Sequence, residues 1–293
     1  MATLSKGALF KPELVTDLIN KVTGKSTLAK LSGQTPIPFN GIEQFVFNMD
    51  SEIDIVAENG KKGPGGLTLE PVSIVPLKVE YGARVSDEFI YASQEAQISI
   101  LQAFNDGFAN KLAKGFDLMA IHGINPRTGS ASDIINTNCF DKKVTQTVEL
   151  DEADPDLNVE TAIGVVQGAD GVVTGLGMDP QFATALAKFK VNGVKQFPEL
   201  SWGANPDTIK GLKVDVNRTI SNGGTNRVIL GDFQSRFKWG YAKQIPMEII
   251  RYGDPDNTGQ DLKGYNQVYL RAEAYIGWGI MQPEHFAIIK AGE

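Results

Sequence analysis

The chain has 293 residues, 42% of them hydrophobic and 22% charged, with a mean hydropathy only slightly below zero. This balance fits one large or two modest globular domains with a sizeable core, and it excludes a disordered tail protein. There is no run of about 18 apolar residues, so no membrane-spanning helix is expected, and the N-terminus lacks the apolar stretch and cleavage site of a signal peptide. Synthesis and folding in cytoplasm are expected. A single cysteine, Cys139, excludes an internal disulfide and a multi-cysteine metal site and reads as a small buried hydrophobe.

The net charge of −7 is unevenly spread. Residues 1–35 carry Lys6, Lys11, Lys21, Lys25 and Lys30 against Glu13 and Asp17, leaving the remainder about ten charges negative. An acidic body argues against gripping nucleic acid through a broad basic face, because phosphate contacts dominate such binding. The basic end reads either as a solvated arm or as an arm steered onto an acidic neighbour.

Residues 12–21, with Pro12 suited to a first turn and Leu14, Val15, Leu18 and Ile19 on one side, predict a short amphipathic helix. Segment 32–41 contains Pro36, Pro38 and Gly41 and reads as an extended linker. Alternation at Phe45, Phe47, Met49 and at Ile53, Ile55, Ala57 predicts strand, matched by Val75, Leu77, Val79, Tyr81, Ala83 and Val85. With the flexible segment 59–66 between them, these runs predict a long hairpin with a polar tip. A lone two-stranded ribbon is marginal in water, so it must lean on something else, and a neighbouring subunit is the obvious support.

The period then turns helical. Ile100, Leu101, Phe104, Phe108, Leu112, Phe116, Met119 and Ala120 predict a helix over 93–122, stopped by Gly123 and roughly 45 Å long at about 1.5 Å per residue. Residues 123–158 are turn-rich and acidic. From Thr161 short helices and strands alternate (161–168, 171–175, 180–190, 211–216, 227–230), with a helix start at Asp179–Pro180 and hydrophilic loops at 193–203 and 217–226. Residues 265–289, with Val268, Leu270, Ala272, Ala274, Ile276 and Trp278 in alternation, supply strands returning to the long helix.

Catalytic chemistry has little material. The segment Gly24, Lys25, Ser26, Thr27 ends like a phosphate-binding loop, but Ile19 stands where that motif needs glycine and no strand precedes it. Gly175 and Gly177 lack the third glycine of a dinucleotide fingerprint. Only His122 and His285 offer neutral-pH bases. Asp254, Asp256, Thr258 and Gly259 start like a calcium loop, but Tyr265 stands where a bidentate glutamate is required. The acidic run from Glu149 to Asp156 lacks the pattern too, and both read as solvated loops.

The order of arm, long hairpin, spine helix, inserted α/β region and returning strand, with local phrases at 55–58, 231–233 and 287–290, resembles the major capsid proteins of tailed bacteriophages, a fold shared with encapsulins. The resemblance covers nearly the whole chain. It implies an α+β fold with an N-terminal arm (1–44), an extended hairpin loop (45–83), a peripheral domain carrying the spine helix (84–160 with 255–293) and an axial domain (161–254). It implies a non-enzymatic protein that self-assembles as pentamers and hexamers into the icosahedral head shell, in the virion, after assembly in host cytoplasm. Double-stranded DNA would be enclosed without sequence-specific binding, and no cofactor, metal or membrane is implied. Further implied partners are the portal, a decoration protein and a separate scaffolding protein, the last because the chain starts at Met1 with no long charged leader.

Some members of the family cross-link their shells through an isopeptide bond, and the resemblance places Lys62 at the matching hairpin tip, with Asn266 and Glu273 in the returning strand. Lys62 would attack Asn266 while Glu273 takes the proton, since a nucleophilic amine must first be neutral. Against this stands a solvent-facing Lys62 and an ordinary strand asparagine. The alternative to a phage shell is an encapsulin-like nanocompartment, disfavoured by the length of segment 45–83 and of the arm. A hydrolase or transferase with an unusual site is disfavoured by the scarcity of histidine.

Overall fold

The computed structural model describes residues 21–22, 24–49, 52–61, 63–243 and 247–292. Of the helix expected over 12–21 only Lys21 falls within that range, and it is helical. A short helix α1 (Thr27–Leu31) precedes the hairpin strands β1 (Ile42–Met49) and β2 (Leu67–Ile74). These pair antiparallel, from Ile42 opposite Ile74 to Met49 opposite Leu67. The pairing differs from the expected match of 45–58 with 75–85. Pro71 breaks the strand signature of 67–74, but both strands of a two-stranded ribbon are edges, where a missing N–H is tolerated. Residues 52–57 form no ladder, because the lysine- and glycine-rich segment opposite them holds no good strand formers.

The strand β3 (Leu77–Ser86) leaves the hairpin at Pro76 and pairs instead with β13 (Gln267–Ile280), from Leu77 opposite Ile276 to Ser86 opposite Gln267. On the other edge of β13 lie β11 (Phe237–Lys243) and β12 (Met247–Ile250), end to end. The predicted alternation of β13 is realised: Val268, Leu270, Ala272, Ala274, Ile276 and Trp278 are all buried.

After α2 (Glu88–Tyr91) comes the long helix α3 (Gln94–His122) of 29 residues. Ser93 caps it by accepting from the Ala96 N–H, and Gly123 ends it in the left-handed conformation (φ 67°) with its N–H on Met119 O. Leu101, Phe108, Leu112, Phe116, Met119 and Ala120 form the buried stripe. Ile100, expected in that stripe, is exposed, because adjacent helical residues point about 100° apart and Leu101 takes the inward place.

A second, six-stranded sheet has the order β4 (Thr147–Glu149), β14 (Phe286–Lys290), β10 (Asn226–Gly231), β5 (Gly175–Met178), β9 (Leu212–Val216), β8 (Thr208–Ile209). The helices α5 (Pro155–Gly168) and α6 (Pro180–Lys188) bury Ala162, Val166, Phe182 and Leu186 with its apolar residues. The second starts as predicted at Asp179–Pro180, Asp179 accepting from the Gln181 N–H, whereas the first begins six residues before the expected 161, because Asp154, in the run read as a solvated loop, precedes Pro155 and accepts from the Leu157 N–H. In the sheets 147–149 and 286–290 join 226–231, while 237–243 and 247–250 join 267–280. Hydrogen-bond partnership across a sheet leaves no trace in composition, so local patterning places the elements without assigning their neighbours.

One chain of aromatic rings joins the two sheets. Phe116 of α3 lies 5.2 Å from Trp239 and 5.8 Å, edge-on, from Trp278, while Phe140 of α4 (Phe140–Lys143) lies 5.5 Å from Phe237 and 5.2 Å from Phe286 of β14. Such pairs contribute roughly 0.5–1.5 kcal/mol each beyond their buried area. The arm crosses this unit at Thr35, whose N–H bonds Trp239 O at 2.8 Å, beside Gly240, where a Cβ would lie 1.7 Å from Thr35 O. Only glycine admits a backbone crossing this close.

Candidate functional site

The segment that resembles the end of a phosphate loop is a clasp. Ser26 caps α1 by accepting from the Ala29 N–H, and its hydroxyl donates to Asp117 Oδ1 at 2.5 Å. The Thr27 N–H donates to Asp117 Oδ2 at 2.9 Å, the Leu28 N–H to Oδ1 at 3.3 Å and the Thr219 hydroxyl to Oδ2 at 2.9 Å. One carboxylate of the spine helix thus satisfies the open end of the arm helix and holds the loop after β9. Beside it the Thr27 hydroxyl donates to Asp215 Oδ2 at 2.6 Å, and Lys30 lies 3.2 Å from Oδ1 of the same residue. Sequence reading passed over Asp117. The available signal was an acid inside the apolar run 116–121.

His122 completes this layer. Its Nδ1 lies 2.7 Å from Asp141 Oδ2 and its Nε2 lies 2.9 Å from Thr219 O, two acceptors that together call for the doubly protonated ring. Burial opposes that charge but is outweighed by Asp141, with Thr219 O and Asp117 adding to the effect, so the pKa is raised. Burial pushes the Asp117 carboxyl up to about 6 in spite of its four donors.

The loop that starts like a calcium site already holds a cation from the chain itself. Arg84 of β3 donates to Asp254 at 2.7 Å, to Asp256 at 2.8 Å, to the Thr258 hydroxyl at 2.6 Å and to Gln260 O at 2.9 Å. The guanidinium holds the Asp256 carboxyl far below the usual range. Among the described residues no group of three or more acids, histidines or cysteines is placed to hold a metal, and no helix is long and apolar enough to cross a membrane.

Of the residues named for a cross-link, Lys62 lies outside the described residues. Asn266 is exposed, in the left-handed conformation (φ 55°) just before β13. Glu273 lies within β13, and seven residues of extended chain separate the two by about 23 Å. Glu273 is mostly buried and already paired, 2.8 Å from Lys78 Nζ and 3.5 Å from Arg271 Nε. The Glu273 hydrogen bond raises the pKa of Lys78, keeping that amine protonated and non-nucleophilic. One chain therefore does not bring Asn266 and Glu273 together.

What the chain leaves open is apolar surface on the hairpin. Ile53 is 95% exposed and Ile55 97%, and Phe45, Leu67, Leu69 and Val75 are also exposed. Among the described residues the hairpin is anchored at its base, where Val46 and Ile74 are buried with Ile37 and Met281.

The clasp makes a pH prediction. A carboxyl whose pKa is raised by folding takes up a proton on folding. Its contribution is full below the unfolded value near 4 and is lost as pH rises through about 6, a swing on the order of 3 kcal/mol. The raised pKa of His122 adds stability that is present below about 6.5 and lost as pH rises above that value. Thermal melts of wild type and Asp117→Asn from pH 4 to 7 should show the wild-type advantage shrinking as pH rises. An advantage independent of pH would contradict the titration.

The model of the phage capsid family matches residues 6–291. No curated protein matches. Among solved structures, a chain of Mycobacterium phage Ogopogo is 31% identical, covering 92% of each chain at a TM-score of 0.76. A chain of Gordonia phage Cozz, at 24% identity, covers 91% of this chain and 86% of its own with a TM-score of 0.74 and speaks for the fold alone. So does "Capsid of native GTA particle computed with C5 symmetry", 14% identical, covering 100% of this chain and 95% of its own at 0.65. The fold is mixed α+β, as expected, and the chain belongs to the phage capsid family: it is a major capsid protein, a structural, non-enzymatic component of the virion head shell.

Proposed function

We propose that the chain closes into an icosahedral shell of pentamers and hexamers around double-stranded DNA. The six-stranded lobe would sit at the capsomer axes as the axial domain. The spine helix with the four-stranded sheet would form the peripheral domain, and the hairpin and arm would lie across neighbouring copies. A portal at one vertex, a separate scaffolding protein during assembly and a decoration protein outside belong to the same proposal. The observation that carries it is the hairpin, a ribbon with apolar side chains and, among the described residues, no cover beyond the base. Repetition makes modest contacts sufficient: at about 800 Å² per partner, each copy is held on several sides.

The double variant Ile53→Ser, Ile55→Ser tests this reading. Both side chains are exposed in the single chain, so its melting should move by less than about 0.5 kcal/mol. Sedimentation and electron microscopy should show particles lost or much reduced. Particles at normal yield would contradict the proposal.

The Lys62–Asn266 bond stays a proposal about assembled particles. Given the separation of Asn266 from Glu273, it needs groups from different copies, and Glu273 must first release Lys78. A covalent ladder from boiled, reduced particles, abolished by Lys62→Arg and by Glu273→Gln, supports it. A single monomer band disposes of it.

A further inference from the structure

The arm and the spine helix meet in a ladder of side chains four residues apart. Lys21 lies 2.6 Å from Asp106 and Lys25 donates to Asn110, so two rungs pair arm to helix. The third rung, Lys114, has no arm partner. It opens instead into a concavity of about 390 Å³, together with Lys25, Arg218, Asn110, Asn217 and Asn222. Among the described residues no carboxylate lines this concavity, and neither the Lys114 ammonium nor the Arg218 guanidinium has an ion-pair or hydrogen-bond partner. In a chain with a net charge of −7, three cations gathered without a counter-ion around one hollow are an exception to the overall charge.

The hollow is fixed from beneath. The Asn217 side-chain amide donates to Lys25 O at 3.2 Å and its Oδ1 accepts from the Thr219 N–H at 3.1 Å, while Thr219 is itself held by Asp117. The walls come from the arm, the spine helix and the loop after β9, and the clasp sets their spacing. The lining carries three cationic donors, Lys25, Lys114 and Arg218, with the amides of Asn110, Asn217 and Asn222 beside them. Donors converging from several directions suit a tetrahedral oxyanion better than a single planar carboxylate, which would call for a two-pronged arginine contact.

We infer that this hollow binds a phosphate group, and that in the assembled particle it takes a phosphodiester of the enclosed nucleic acid backbone. The inference rests on the shell reading above, and it implies that the face carrying Lys25, Lys114 and Arg218 lines the lumen. One hollow neutralises only one or two phosphates, so a single contact is weak and strongly salt-dependent. Repeated around a closed shell, such contacts hold the polymer collectively while each is released easily. The acidic remainder of the chain restricts contact to these points.

The test uses the full-length chain as free subunits or open capsomers, in which the face proposed to line the lumen is accessible to added phosphate and duplex. Phosphorus NMR of inorganic phosphate and anisotropy of a short labelled duplex across a KCl series are compared for wild type, Lys114→Gln with Arg218→Gln, and a control with Lys142→Gln and Lys213→Gln, two exposed lysines outside the hollow. The inference expects the pocket variant to lose phosphate binding, to bind the duplex roughly 10-fold more weakly and to show a log–log salt slope lower by about 2, with the control unchanged. Unchanged phosphate and duplex binding in the pocket variant would overturn the site. Loss of phosphate binding with unchanged duplex binding would overturn the polymer as its source, and so would a glutamate-rich peptide that displaces the duplex. Particle formation, followed in parallel, separates the two readings: failure to assemble counts against the shell, and assembly without anion binding counts against the hollow.

Discussion

The antiparallel ribbon of residues 42–49 and 67–74 forms a sheet of two strands, with no third strand on either edge among the described residues. Its base is tied down where Val46 and Ile74 share a small core with Ile37 and Met281, but the segment beyond carries isoleucines in full contact with water. The hydrophobic effect acts on such a surface whatever else the chain does, at roughly 25 cal/mol per Å² of apolar area still to be covered. The described residues of the same chain leave it uncovered, and the same patch recurs on every copy, so on the proposed reading a neighbouring copy buries it. A shell is one closed solution to that constraint.

The rest of the molecule gives the ribbon a rigid base. Phe116, Trp239, Trp278, Phe140 and Phe286 form a continuous aromatic core, so the two sheets do not behave as separate domains on a linker. Asp117 does the same for the arm, fastening Ser26, Thr27 and Leu28 to the spine helix and Thr219 to both. A buried carboxylate is costly unless its oxygens are filled, and here four donors fill them. Arg84 does a comparable service at the far end of β3, gathering the 254–260 loop onto the sheet.

Much of this was legible before any coordinates. The 3.6-residue period fixed α3 to within one residue at its start, because Ser93 and Gly123 are strong boundary residues, and the period-two pattern identified six of the nine buried positions of β13. The cap at Asp179 followed from an acid placed before a proline, whereas the same pairing at Asp154 and Pro155 was hidden in a stretch that reads as a solvated acidic loop. What stayed hidden was relational. Pro71 masked β2, since a pattern rule for central strands does not apply to a ribbon. The sharing of β14 and β10 in one sheet joins residues some sixty positions apart and has no local signature. The Asp117 clasp and the Arg84 cage looked like a nucleotide loop and a calcium loop because the chain uses those residue types for its own internal charges.

Hydrogen exchange of residues 42–74, compared between assembled particles and free subunits, addresses the central claim most directly. The account predicts that amides of this ribbon exchange fast in the free subunit and are strongly protected in the particle, while those in the buried middle of α3 exchange alike in both. Particles in which 42–74 exchanges as fast as in the free subunit would show that neighbouring copies do not cover the ribbon, and the assembly mechanism drawn from it would be wrong.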